Sequence, residues 1–236
     1  FYEEYPGSIT DVSQFVHMVD KVTEYGYKKV GFILDRGYFS KDNIRYMEEG
    51  GYAFVIMVKG RKALVSSLVL ENRGTFETDR DHSIRSYHVY GKTVKARLYE
   101  DDTKDRYFHI YFNPSKHAAE REHFEQTLDR IKIYLEKHIG DVITSSKVCQ
   151  EYFVLKFDKS GRLASYTERK DVIRRELDLC GYFCIVTSEE MTASQALIHY
   201  KGRDVSEKLF SADKSFIGSK SMRVQTAQSL SAKIFV

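Results

Sequence analysis

Two short apolar runs constrain this chain more than anything else in it. Val30-Gly31-Phe32-Ile33-Leu34 stops at Asp35-Arg36-Gly37, and Ala53 to Val58 reads Ala-Phe-Val-Ile-Met-Val without a polar break. The first is a short apolar run suited to a buried strand, and the second a continuous run of the kind expected in a central strand covered on both faces. Helical patterns precede each run. Thr10 can cap a helix carrying Phe15, Val19 and Val22 and ending near Gly26. Ser40 can cap a second helix over 41–49, closed by Gly50-Gly51. Helix, strand, helix, strand predicts an α/β layer.

The middle of the chain changes character. From Lys59 to about Asn113 it is β-branched and aromatic, with Ser86 to Tyr90 and Tyr107 to Phe112 reading as strands and Gly91-Lys92 as a hairpin turn. Asn113-Pro114 then opens a long helix, with Asn as cap and Pro at its first position. Its buried stripe is Phe124, Leu128, Ile131 and Leu135. Further strands are expected at Tyr152–Phe157 and Gly181–Thr187. At 236 residues the simplest organisation is one core interrupted by an insertion: 1–59 as first part of the core, 60–178 as a β-rich insertion, 179–236 as second part.

Composition excludes several classes. Hydrophobic residues at 42% and charged residues at 30% fit a globular chain and exclude a disordered tail or fibrous repeat. No stretch reaches the ~18 apolar residues of a membrane-spanning helix. Three cysteines, Cys149, Cys180 and Cys184, form no Cys-x-x-Cys pair and read as free thiols. The net charge of +3 permits a polyanion partner without arguing for one. There is no Walker loop and no dinucleotide glycine fingerprint. Arg174-Arg175 reads as solvated charge, or as a DNA contact if the insertion folds over the site.

The last helix carries the sharpest pattern. Thr192 with Gln195 three residues on forms a capping box. From there Ile198, Gly202, Val205 and Leu209 fall on one side, expected to pack, with Gly202 allowing close approach. Tyr200, Arg203, Glu207 and Lys214 fall on the other. That second face has two readings: a solvated surface with an Arg203–Glu207 pair, or a polar functional face. Asp35 also has two. It is either a turn residue ahead of Gly37, or a carboxylate at a strand's carboxyl end, where open α/β sheets place their ligands. Two carboxylates from different elements could share divalent metal, whose hard cations favour oxygen.

These residues carry a resemblance. Tyr200-x2-Arg203-x3-Glu207-x6-Lys214 resembles the Tyr-Arg-Glu-Lys signature of DDE transposases from bacterial insertion sequences. Tyr5-Pro6-Gly7-Ser8-Ile9-Thr10-Asp11 is similar to their Tyr-Pro-Gly-Asn-x-x-Asp segment, with Ser8 in place of the usual Asn. Leu34 to Ser40 resembles the strand end bearing their second acidic residue, and Gly181 to Thr187 the strand before their final catalytic helix.

The resemblance implies a ribonuclease-H-like core within the α/β class, in which three acidic residues bind two Mg²⁺ or Mn²⁺ ions. It implies hydrolysis at transposon ends and strand transfer into target DNA. By position Asp35 is the second metal-binding carboxylate and Glu207 the third; Tyr200, Arg203 and Lys214 contact DNA phosphates. Double-stranded DNA is the implied partner, a synaptic homodimer the implied assembly, and the bacterial cytoplasm the implied location. The family's first aspartate lies upstream of the Tyr-Pro-Gly segment, and Phe1 stands just before that segment. The expectation is therefore a catalytic-domain fragment whose N-terminal strands are missing, with an incomplete two-metal site and no cleavage activity alone. The alternative is a truncated, non-catalytic remnant acting as a DNA-binding module.

Overall fold

A computed structural model describes residues 15, 19–21, 24, 25, 30–59, 62–144 and 147–202. The first apolar run forms β1 (Gly31–Leu34) and the second β2 (Ala53–Met57), paired in parallel with Leu34 opposite Ile56. Between them α1 (Lys41–Glu49) starts where the Ser40 hydroxyl accepts from the Asn43 N–H. It ends at Gly50, with Gly51 in the left-handed region at φ 68°. Phe15 and Val19 are helical and buried, as their spacing predicts; Thr10, Val22 and Gly26 lie outside the described residues.

The chain continues with α2 (Lys62–Asn72), β3 (Ser83–Ile84), β4 (Val89–Ala96) and β5 (Arg106–Phe112). Next come α3 (Pro114–Lys137), α4 (Lys147–Tyr152), β6 (Phe153–Phe157), β7 (Leu163–Glu168) and α5 (Lys170–Leu179). Last are β8 (Tyr182–Thr187) and α6 (Ala193–Gly202). Six strands form one mixed sheet in the order β1-β2-β8-β5-β4-β3, antiparallel everywhere except β1–β2. The class is α/β. Strands β3 to β5, from the middle of the chain, share this sheet with β1, β2 and β8.

Side chains alternate across a strand, and here the alternation divides the sheet cleanly. One face turns Phe32, Leu34, Phe54, Ile56, Phe108, Ile110, Cys184 and Val186 into a core that includes Ile44 and Met47 of α1 and Leu68 and Val69 of α2. The other turns Val55, Tyr111 and Ile185 against Ala193, Leu197 and Tyr200 of α6. A separate cluster joins Leu128 and Leu135 of α3 to Phe153 and Leu163 of the β6–β7 ribbon. Asn113 caps α3 with Pro114 at its first position, and the expected stripe lies in this cluster. Cys149, Cys180 and Cys184 are free and buried. Among the described residues no helix is long and apolar enough to cross a membrane.

Three local expectations are corrected. Residues 62–72 form a helix rather than part of a β-rich stretch: Leu68 and Val69 satisfy a helix packed on β8 as readily as a strand. Residues 85–87 form a 3-10 turn ending at His88 in the left-handed region (φ 53°), so the strand begins at Val89 instead of Ser86. Gly91-Lys92 is no turn but lies inside β4. A Cβ on Gly91 would sit 2.9 Å from Ala193 Cβ and 3.0 Å from both Ile84 Cδ1 and Tyr111 Cδ1. This glycine lets α6 approach the sheet, a use of glycine in strands distinct from turning.

Candidate active site

Asp35 follows β1 directly, with an exposed carboxylate. Its Oδ1 accepts from the Arg36 N–H at 2.6 Å, capping the short 3-10 turn Arg36–Tyr38. The turn chemistry is observed, and the residue stands at the carboxyl end of a parallel strand.

The second component is α6. Its capping box forms as the residue types require: the Thr192 N–H donates to Gln195 Oε1 at 2.9 Å and the Gln195 N–H to Thr192 Oγ1 at 3.2 Å. The helix lies across the sheet, touching β4, β5, β8, β2 and β1. Ala193 stands over Gly91 of β4; farther along, His199 borders a small cleft with Gly31, Phe32 and Ile33 of β1. The axis thus runs from β4 toward β1. Tyr200 borders a second cleft, of about 370 Å³, with Met57, Phe183, Lys116 and Lys201. Met57 follows Ile56, the partner of Leu34, so this cleft reaches the carboxyl end of β2.

The expected packing face of this helix is corrected. Ala193, Ala196, Leu197 and Tyr200 are buried, Ile198 is 50% exposed, and a Cβ on Gly202 would meet open space. Tyr200 is 2% exposed within the core cluster, so the first turns pack through the side that was expected to be polar. Small alanines and a single tyrosine ring seat the helix; hydrophobicity alone favoured Ile198 and missed them. Arg203, Glu207 and Lys214 lie outside the described residues.

Several residues that the sequence did not single out set where α6 begins. The Tyr111 hydroxyl donates to the Ala193 carbonyl at 2.7 Å, with both residues buried. Ser188 ties the segment between β8 and α6 to β2: its hydroxyl accepts from the Phe54 N–H at 2.9 Å and its N–H donates to the Phe54 carbonyl at 3.2 Å. Fully buried His109 spans two threonines, with Thr93 Oγ1 at 2.9 Å from Nδ1 and Thr187 Oγ1 at 3.0 Å from Nε2. Thr187 spends its one proton on the Glu189 carbonyl at 2.7 Å. Its oxygen must therefore accept from His109 Nε2–H, leaving Nδ1 to accept from Thr93. Burial pushes the imidazole down to about 4, so it is neutral, as this arrangement demands. The only signal in the sequence was a polar residue at an inward position of a predicted strand.

Among the described residues no group of three His, Cys, Asp or Glu side chains is gathered to hold a metal ion. Of the two carboxylates assigned by resemblance, Asp35 is one of the described residues and Glu207 is not.

The family found for this chain is described as a transposase DDE domain, and it matches residues 2–236. The chain belongs to that family of DNA-transposing enzymes. No match was found among curated proteins or among solved structures. Enzymes of this family use divalent metals, and the family's substrate is DNA.

Proposed function

We propose that this chain is the catalytic part of an insertion-sequence transposase that cuts phosphodiester bonds at transposon ends and joins them to target DNA. On this reading β1 and β2 belong to a ribonuclease-H-like core, with 60–178 inserted before the catalytic helix. Asp35 and Glu207 are two of three metal-binding carboxylates. Arg203 and Lys214 bind phosphates, Arg through its planar fork and Lys as a point charge. Tyr200 is buried beside the cleft lined by Lys116 and Lys201, and on this reading it stands at the edge of the phosphate site.

One observation carries the proposal. The capped helix α6 crosses the sheet from β4 toward β1, and Tyr200 borders a cleft with Met57 at the carboxyl end of β2, the strand parallel to β1. Glu207 follows Tyr200 by seven residues in the sequence. Mg²⁺ or Mn²⁺ ions held by such carboxylates activate a nucleophile and stabilise the leaving oxygen of a phosphodiester. The protein's own part is to hold those carboxylates apart from competing cations and to fix the scissile phosphate with Arg203, Lys214 and Tyr200. Duplex DNA is the partner, in a synaptic pair of chains.

The test is Mn²⁺ binding by the 236-residue chain, followed by electron paramagnetic resonance. Asp35→Asn and Glu207→Gln are each expected to weaken binding at least tenfold, while Asp42→Asn on α1 leaves it unchanged. Binding untouched by both substitutions overturns the assignment.

A further inference from the structure

The start of α6 is held by strands from the middle of the chain. Gly91 of β4 leaves room for Ala193, Tyr111 of β5 donates to the Ala193 carbonyl, and His109 of β5 fixes Thr187, which in turn binds the Glu189 carbonyl ahead of the helix. Tyr111, His109 and Thr187 are all fully buried. The Tyr111 ring is itself clamped, stacked on Phe183 with centroids 4.8 Å apart and planes 17° from parallel.

We propose that β5 is the mount that aims α6. Tyr111 and His109 are positioning residues for α6, after which Arg203 and Glu207 follow in the sequence, so strands within 60–178 govern the aim of a helix they do not form. The aiming of the catalytic residues rests on the function proposed above; the mounting of the helix does not.

The physical case is one of specification. Apolar contacts between Leu197, Val55 and Ile185 are non-directional and tolerate sliding. Buried hydrogen bonds with both partners satisfied admit one arrangement and penalise others, because each lost bond strands a polar group away from water. Leverage makes this matter: a tilt of about 5° at Ala193 moves the far end of the ten-residue helix α6 by about 1 Å, and misplacement of about 1 Å can cost a hundredfold in rate.

The experiment compares the 236-residue chain with Tyr111→Phe, His109→Leu and His109→Gln by amide hydrogen exchange and by affinity for transposon-end duplex DNA. Leu128→Ala, in the separate α3 cluster, serves as a variant of lowered stability with the mount intact. Tyr111→Phe removes one oxygen from a ring that stays packed, so the chain remains folded. Exchange at α6 amides is expected to rise about tenfold in Tyr111→Phe and His109→Leu, with α1 amides unchanged. Affinity for end DNA should fall about tenfold in the same two variants, remain unchanged in Leu128→Ala, and recover in part with His109→Gln, whose amide can both donate and accept. Wild-type protection of α6 in both variants overturns the mount, and so does an equal rise in α1 and α6. Selective loosening of α6 with DNA affinity unchanged, in these variants and in Arg203→Ala, supports the mount and overturns the reading of the helix as a DNA contact.

Discussion

The two faces of the six-stranded sheet solve different problems. The face covered by α1 and α2 is held by bulk: Phe32, Phe54, Phe108 and their neighbours bury against both helices, with Phe15 and Val19 in the same cluster. Arg106, a buried charge on this side, is bound through two nitrogens to Glu48 at 2.8 Å each and through a third contact to Asp102. The face covered by α6 is smaller and is interrupted by the polar connections of Tyr111, His109 and Thr187. Bulk stabilises without choosing a direction; hydrogen bonds add less free energy and choose one. The face that carries the proposed catalytic helix is the one built for direction.

The contrast can be broken from either side. Arg106→Ala on the α1 side should cost about 3–5 kcal/mol, since Glu48 and Asp102 would be left as unpaired, largely buried charges; urea denaturation measures it, and the loss should unprotect the whole sheet. His109 should make the α6 side sensitive to acid. Its folded value of about 4 lies below the ordinary 6.5, so the unfolded chain takes up the proton first. Stability is fully present above about pH 6.5 and falls as the pH drops toward 4, by up to ~3 kcal/mol. Denaturation midpoints at pH 7 and pH 4.5 check this, and the His109 share of the change should vanish in His109→Leu.

Gly91→Ala sharpens the comparison, because the added methyl meets Ala193, Ile84 and Tyr111 at 3.0 Å or less. A cost of about 1–3 kcal/mol is expected, with faster exchange in α6 than in α1. The smallest effect belongs to Thr192→Ala, which removes the cap at the helix start for about 1 kcal/mol, measurable as a shift in thermal midpoint.

Local chemistry was legible wherever neighbours along the chain supply it. Ser40, Asn113 and the Thr192–Gln195 pair cap their helices, and Ala53–Met57 forms a buried strand. The four-residue pattern around Glu207 and the strand-end position of Asp35 led to a transposase, and the match over residues 2–236 agrees. Misreadings occurred where a distant partner decides. Gly91 has the look of a turn until Ala193 packs on it, and Ile198 seems the natural packing residue until the close approach of α6 selects alanines instead.

The amino-acid order alone determined the helix boundaries set by capping residues and the places of strands β1 and β2, because each depends on groups within a few residues of one another. Only the tertiary structure decided that β4 and β5 join the same sheet, that α6 faces it through Ala193, Leu197 and Tyr200, and that His109 stands neutral between two threonines. Those outcomes depend on contacts between residues as far apart as Gly91 and Ala193, which no local period encodes.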